Sequence, residues 1–342
     1  MYKNIESYLE IKLDLKDRKI IKALFENGRA SFSEIAKKVR LSKEVVNYRI
    51  RQLMKSGLIT EFNTVIDVKK LGWQIFLVYV KLRNMDIENE QKIIEELKNH
   101  GNIAWMVKCI GNYDFVIKFF ATGNEHINQL LKSMEEKLKD NLDDYTVDFL
   151  LEESAVPQSF IYTSEPTKET YFSKAHEPNV HLDDIDFKIL KLLEHDSRIS
   201  LADISLKTKV PRDTVNYHLK KLEKSKIILK YRPSLWPQKL GYSWYFIALK
   251  LGNLDDNLQK KLVSYIVSHP NVTYFYRTSG SSDLQIEVRM KTSEELNKML
   301  MGLRGILKNS LKRHEILFIL QELKYTYFPE CITSGMARHK LL

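Results

Sequence analysis

The chain has 342 residues, of which 44% are hydrophobic and 29% charged, and a net charge of +10. That length exceeds one ordinary domain, and the apolar content suffices for packed cores. Two cysteines, Cys109 and Cys331, exclude a disulfide framework or a thiolate metal set, and the longest apolar run, IFLVYV at 75–80, is too short to span a bilayer. The N-terminal stretch is dotted with charges and lacks a signal-peptide core, so the expectation is a soluble cytoplasmic protein with no membrane partner.

In chain order, the first apolar periodicity is helical, over Asp17 to Glu26, with Ile20, Ile21 and Leu24 inward. A short helix is predicted near Ser33 to Lys38. Leu41-Ser42 then reads as a turn and N-cap, because a serine oxygen accepts from the free N–H groups of a helix start. A third helix is predicted from about Lys43 to Ser56, with Gly57 suited to its stop. LITEFNTVI (58–66) alternates and is expected to fold as a short hairpin wing. Next come a strand at 74–82, a helix over Glu88 to Asn99, strands at 103–110 and 114–121, a helix over Glu125 to Lys139 and a strand at 145–151. This βαββαβ order is ferredoxin-like, with helices on one sheet face only. The other face, expected to carry residues such as Phe76 or Tyr79, needs a cover, and a second copy of the sheet would serve.

A second copy is present. FSEIAKKVRLSKEVVNYRIRQLMKSGLI (32–59) aligns without a gap on LADISLKTKVPRDTVNYHLKKLEKSKII (201–228), and the offset of 169 persists from Leu13 and Leu182 through KKLGW (69–73) over QKLGY (238–242) to GNYDFVIKF (111–119) over GSSDLQIEV (280–288). Solenoid repeats are far shorter, so a whole protein has been duplicated. The fold class expected is α+β: two repeats, each a winged helix-turn-helix followed by a ferredoxin-like domain. The expected boundaries are 1–68, 69–156, a linker at 157–181, 182–237, 238–325, and a tail at 326–342, mobile and with a basic end.

The charge is localised. Arg29 to Ile59 holds eight Lys/Arg and two acids, Arg198 to Ile228 eight and three, giving +6 and +5 and leaving −1 for the remainder. Two short basic windows point to a polyanion, chiefly nucleic acid. On the third helix Val46, Ile50 and Leu53 share a core side, and Asn47, Tyr48, Arg51 and Lys55 lie opposite. In the second repeat Val215, Leu219 and Leu222 face in, and Asn216, Tyr217, Lys220 and Lys224 face out. Asn suits an adenine edge, Arg a guanine or phosphate, and Tyr a phosphate or thymine methyl. Ser42, Lys43, Arg212 and Thr214 complete the set of candidate DNA contacts. Taken one at a time, each is equally well a solvated helix residue; together the two basic faces favour double-stranded DNA. Differences at Lys43/Arg212, Val45/Thr214 and Arg49/His218 suggest that the two half-sites differ.

The LD-x-x-D opening at 13–17 and 182–186, the helix-turn-helix with its Ser42, Leu71-Gly72, and the turn Gly111-Asn112-Tyr113-Asp114 together resemble the Lrp/AsnC family of feast/famine regulators, over about 13–153 and 182–323. The resemblance implies transcription factors whose RAM-type sheet domains pair face to face and often bind amino acids between subunits. It makes Gly111, Asn112, Tyr113 and Asp114 candidates for an effector site, with no further cofactor; as residues alone they also describe a good β-turn. The second turn, Gly280-Ser281-Ser282-Asp283, lacks the tyrosine, and Pro211 stands where the capping serine should be. Family members usually carry one unit per chain, so two units suggest an intramolecular pseudo-dimer, alone or in a larger homo-oligomer. The sirohaem decarboxylases resemble the same fold and supply the competing expectation of an enzyme. None of the nine histidines lies on the central hairpins at 103–121 and 272–290, and there is no P-loop, paired-carboxylate motif, nucleophile elbow or zinc-ligand spacing. The reading is therefore a regulator rather than an enzyme.

Overall fold

The computed structural model describes residues 10–162, 171–174 (backbone only) and 182–332. The first repeat opens with α1 (Leu15–Glu26), α2 (Phe32–Val39) and α3 (Lys43–Lys55), followed by β1 (Ile59–Ile66). Its sheet unit is β2 (Gln74–Leu82), α4 (Ile87–Lys98), β3 (Ile103–Ile110), β4 (Phe115–Ala121), α5 (Asn124–Leu138) and β5 (Leu142–Ala155). A short α6 (Ser159–Tyr162) and β6 (Tyr171–Lys174) precede the second repeat. That repeat runs α7 (Asp184–His195), α8 (Leu201–Thr208), α9 (Arg212–Lys224), β7 (Ile228–Leu235), β8 (Ser243–Leu251), α10 (Asp256–Ser268), β9 (Val272–Ser279), β10 (Leu284–Met290), α11 (Ser293–Leu307) and β11 (Leu311–Tyr325).

Each sheet has the ferredoxin-like order, β5-β2-β4-β3 in one repeat and β11-β8-β10-β9 in the other. The ends of the two sheets then join. β11 runs on to pair antiparallel with β3, and β5 with β9, so eight strands close into a ring with no free edge. This explains why β5 and β11 are longer than the local pattern suggests: 145–151 is what alternation marks, but the strand continues to Ala155 because β9 of the other repeat offers it partners.

Phe76 and Tyr79 do not share a face. Strand side chains alternate with period two, so residues three apart point oppositely. Tyr79 joins Leu77, Trp105, Val107, Phe246 and Ile319 in the core enclosed by the ring. Phe76 packs outward with Val78, Ile93 and Leu97 beneath α4 and α5.

The 58–66 segment is not a hairpin. It is the single strand β1, antiparallel to β7 of the other repeat, with Ile59 opposite Leu235 and Ile66 opposite Ile228. No glycine or Asn-Gly turn breaks the segment, so a local hairpin has nowhere to reverse. Other links between the repeats come in matched pairs. Arg29 donates to the carbonyls of Ser197 (2.5 Å) and Ile199 (3.0 Å), and Arg198 donates to those of Gly28 (2.5 Å) and Ala30 (2.9 Å). Gly28 N–H bonds the Tyr231 carbonyl as Ser197 N–H bonds that of Phe62. A Cβ on Gly28 would lie 2.7 Å from the Arg232 nitrogen, so glycine permits this approach. Contacts related by the 169-residue offset are what a two-fold, isologous interface produces.

The expectation of a bare linker and a mobile tail is corrected for the described residues. Ile161 is fully buried in the core of the first helix-turn-helix, where Arg18 donates to its carbonyl, and β6 adds to the outside of β5. Phe328, Cys331 and Ile332 are buried likewise against the second helix-turn-helix. Each segment supplies apolar side chains that its three-helix unit needs to close. The rest of the connector, 163–170 and 175–181, and the end of the tail, 333–342, lie outside the described residues.

Candidate nucleic-acid interface

In both repeats the turn between the second and third helices is set by local chemistry. Ser31 and Glu34 form a capping box on α2, and Ser200 caps α8. Arg40 and Lys209 then take left-handed conformations that stop these helices, at φ 57° and 58°. Ser42 accepts from the Val45 N–H and starts α3. Pro211 starts α9 with no side-chain cap, since proline brings its own preset φ to a helix start.

Val46, Ile50 and Leu53 are buried on α3, and Val215, Leu219 and Leu222 on α9. Among the expected outward residues, Ser42, Lys43, Tyr48, Arg51 and Lys55 on the first helix and Arg212, Tyr217, Lys220 and Lys224 on the second are exposed. The two tyrosines stand out at 63% and 67% exposure, the same position left open twice. Asn47, Thr214 and Asn216 are half-buried, and the Asn47 Oδ1 is enclosed, so these three lie at the margin of the exposed face.

Arg49 and His218 belong to the inner side. Arg49 forms ion pairs with Asp14 and Asp17, each at 2.8 Å, where they cap α1. His218 bonds Asp186 at 2.8 Å, and Lys221 adds a second bond at 2.6 Å. Burial favours the protonated acid at Asp186, but the bonds from Lys221 and His218 outweigh it and hold its pKa below the usual carboxylate value. The LD-x-x-D opening is thereby explained: its acids cap the first helix and fasten the third to it. Arg49 and His218 therefore turn away from the exposed face, and the differences between the two helices that lie toward it are Lys43/Arg212 and Val45/Thr214. Helical-wheel counting missed this because both positions sit at the boundary of the core face, where the partner acids decide.

The Gly111–Asp114 turn lies where the sheet units meet. Gly111 has φ 147°, and a Cβ there would strike Leu317 of the other repeat. Tyr113 packs against Tyr79 with the rings tilted by 47° and their centroids 5.4 Å apart, and its hydroxyl accepts from Thr146. Asp114 accepts from the Leu82 N–H at 2.7 Å, and Asn112 is exposed. At the corresponding turn, Asp148 occupies the place of Leu317, 169 residues away in register. Fully buried, it accepts from the Ser281 and Ser282 N–H groups, the Ser282 hydroxyl (2.6 Å) and the Gln285 amide (2.8 Å). The two turns are thus chemically different: one borders Leu317 and tyrosines, and the other is filled by a carboxylate and its own donors.

Two helix-turn-helix units stand on a closed pair of ferredoxin-like sheets, a duplicated build. Residues 13–60 and 182–228 match the winged helix-turn-helix DNA-binding family, and 245–327 match the Lrp/AsnC ligand binding domain. The chain is 34% identical over 121 residues to the HTH-type transcriptional regulator FL11 of Pyrococcus horikoshii, 35% of this chain and 79% of that protein. It is 28% identical over 162 residues to the glutamate uptake regulatory protein of Zymomonas mobilis, 47% of this chain and 98% of that one. The chain belongs to the Lrp/AsnC family. Among solved structures, that of the siroheme decarboxylase NirDL is similar over 95% of this chain and 99% of its own, with a TM-score of 0.62 and 12% identity, a likeness of fold. Among the described residues no helix is long and apolar enough to cross a membrane.

Proposed function

We propose that the chain is a sequence-specific transcriptional regulator that works as a fused pseudo-dimer, laying α3 on one half-site and α9 on the other. The observation that carries this reading is the pair of exposed, basic, tyrosine-bearing helix faces, tied together by reciprocal contacts between the repeats. Ser42, Lys43, Tyr48, Arg51 and Lys55 contact the first half-site, and Arg212, Tyr217, Lys220 and Lys224 the second, with Asn47, Thr214 and Asn216 at their margins. Exposed cations give affinity through phosphates, while the two exposed tyrosines supply base-edge contacts. Helix-turn-helix dimers place such helices about one DNA turn apart, so the site should be an imperfect palindrome with half-sites separated by roughly 10 bp. The protein acts in the cytoplasm, and the sheet domains respond to an amino-acid effector, with the Gly111–Asp114 turn as one contact.

The test is selection of bound duplexes followed by footprinting with one chain per duplex. Two protected half-sites are expected, with Arg51→Ala erasing protection of one and Lys220→Ala of the other. Protection of a single half-site per chain would refute the fused pair. The regulator reading also assigns no catalysis: protein purified from its native host should show no Soret-region absorbance, and a bound tetrapyrrole there would favour an enzyme like the fold neighbour.

A further inference from the structure

A cavity of ≈ 410 Å³ lies between one end of the strand ring and the β1–β7 ribbon. Its floor comes from the ribbon (Glu61, Val65, Leu229, Pro233), and its walls from inward residues of the ring. The volume falls in the range of small-molecule sites, about 300–1,000 Å³. Most charged groups facing it have a partner. Lys118 bonds Glu153 at 3.0 Å, Trp105 Nε1 donates to Glu322 at 2.8 Å, and the Tyr276 hydroxyl donates to Glu287. Arg232 bonds the hydroxyls of Tyr274, Tyr325 and Tyr327.

Arg289 is different. It is 8% exposed, its guanidinium lies 3.7 Å from the Trp244 ring centre, and its Nε and Nη1 have no partner among the described residues. The Trp244 Nε1, on a side chain 4% exposed, has none either. A buried guanidinium with unmet donors is costly, and structures rarely tolerate it without an acceptor. Glu287 and Glu322 are close enough to attract it, but each already receives a hydrogen bond. Burial also raises both acids, Glu322 to about 7, which weakens them as counter-charges, whereas Arg289 at about 10 remains a cation. What remains is a cation lying over the face of an indole whose own N–H is unbonded, in a cavity also lined by the rings of Trp105 and Tyr276.

We propose that this cavity binds a small organic acid with a flat apolar body, its carboxylate held by Arg289 and Trp244 and its body lying against Trp105 and Tyr276. The site differs from the Gly111–Asp114 turn: it uses Trp105 near the start of β3, and the turn follows the end of that strand. Because the floor is the ribbon that follows α3 and α9 directly, an acid bound there bears on the element that links the two recognition helices. This regulatory consequence rests on the DNA-regulator reading; the binding itself does not.

The experiment is calorimetry on the full chain without DNA, using phenylacetate and its neutral counterpart 2-phenylethanol. Phenylacetate should bind saturably, one per chain, and roughly tenfold or more tighter than the alcohol, as charge-assisted hydrogen bonds require. Arg289→Gln should weaken it by roughly 10- to 100-fold. Trp244→Phe keeps a ring but loses the N–H, and should weaken binding severalfold; a cooperative thermal melt of each variant above the assay temperature separates lost binding from lost folding. No saturable heat at millimolar phenylacetate, or equal binding by both variants and wild type, would overturn the proposal and leave a hydrated core. A chain that binds phenylacetate but no duplex refutes the regulator reading while the acid site stands; a chain that binds duplex but not the acid does the reverse.

Discussion

Truncating Arg29 should loosen the contact between the two helix-turn-helix units. Its guanidinium donates to the carbonyls of Ser197 and Ile199 and lies 5.3 Å from the Tyr231 ring centre. Hydrogen bonds to a charged group contribute about 1.5–3 kcal/mol each, and a partly desolvated cation–π contact about 1 kcal/mol. Ordering the arginine costs up to about 2 kcal/mol, and half-exposure lowers the remainder. Arg29→Ala should therefore destabilise the chain by about 2–4 kcal/mol. Arg198 makes the reciprocal bonds and packs on Phe32 and Phe62, 5.1 Å from each ring centre, so Arg198→Ala should cost at least as much. Urea unfolding of the two single variants and the double variant measures this directly. Because the clamp joins the helix-turn-helix units, the double variant should also broaden into two transitions. A change below about 0.5 kcal/mol for Arg29→Ala would refute the claim that these contacts fasten the two helix-turn-helix units together.

Other consequences concern buried acids. Burial raises Glu322 to about 7, so the folded protein holds a proton that the unfolded chain, titrating near 4.5, releases. Stability from this group is fully present below about pH 4.5 and falls as pH rises to about 7. Glu322→Gln should therefore leave stability nearly unchanged at pH 4 and raise it by about 2–3 kcal/mol at pH 8, measured by guanidinium unfolding; equal effects at both pH values would contradict the assignment. Asp148 accepts four hydrogen bonds from the other repeat with no exposure, so Asp148→Ala should cost about 3–5 kcal/mol. Leu317→Ala, at the matching position, removes only apolar contact and should cost about 2–3 kcal/mol in the same melts.

Much of the fold is legible in the residues themselves, because its determinants are local. The cap at Ser42 marks a helix start, and the periodicity of Ile20, Ile21 and Leu24 marks a buried stripe. The basic faces of α3 and α9 are equally plain, since exposure follows from the 3.6-residue period. Pairing between repeats has no comparable local mark. Nothing within ITEFNTVI says that its partner is ILKYRPSL, 169 residues further on, or that β5 must reach Ala155 to meet β9. Arg49 illustrates the same limit in the candidate interface. It lies within a basic helix, yet two acids from α1 draw it inward, and only the packing of the helices reveals this. The cavity beside Arg289 was hidden for the same reason, because its walls come from strands scattered over most of the chain.

The most direct measurement of the central claim is duplex affinity against salt for the wild type, Arg51→Ala and Lys220→Ala. If α3 and α9 engage one duplex together, log K should fall against log[salt] with a slope of about −0.9 per neutralised phosphate, from roughly 6–10 phosphates. Each substitution should weaken binding and make the slope shallower by about one phosphate. A wild-type slope that neither substitution changes would contradict the account.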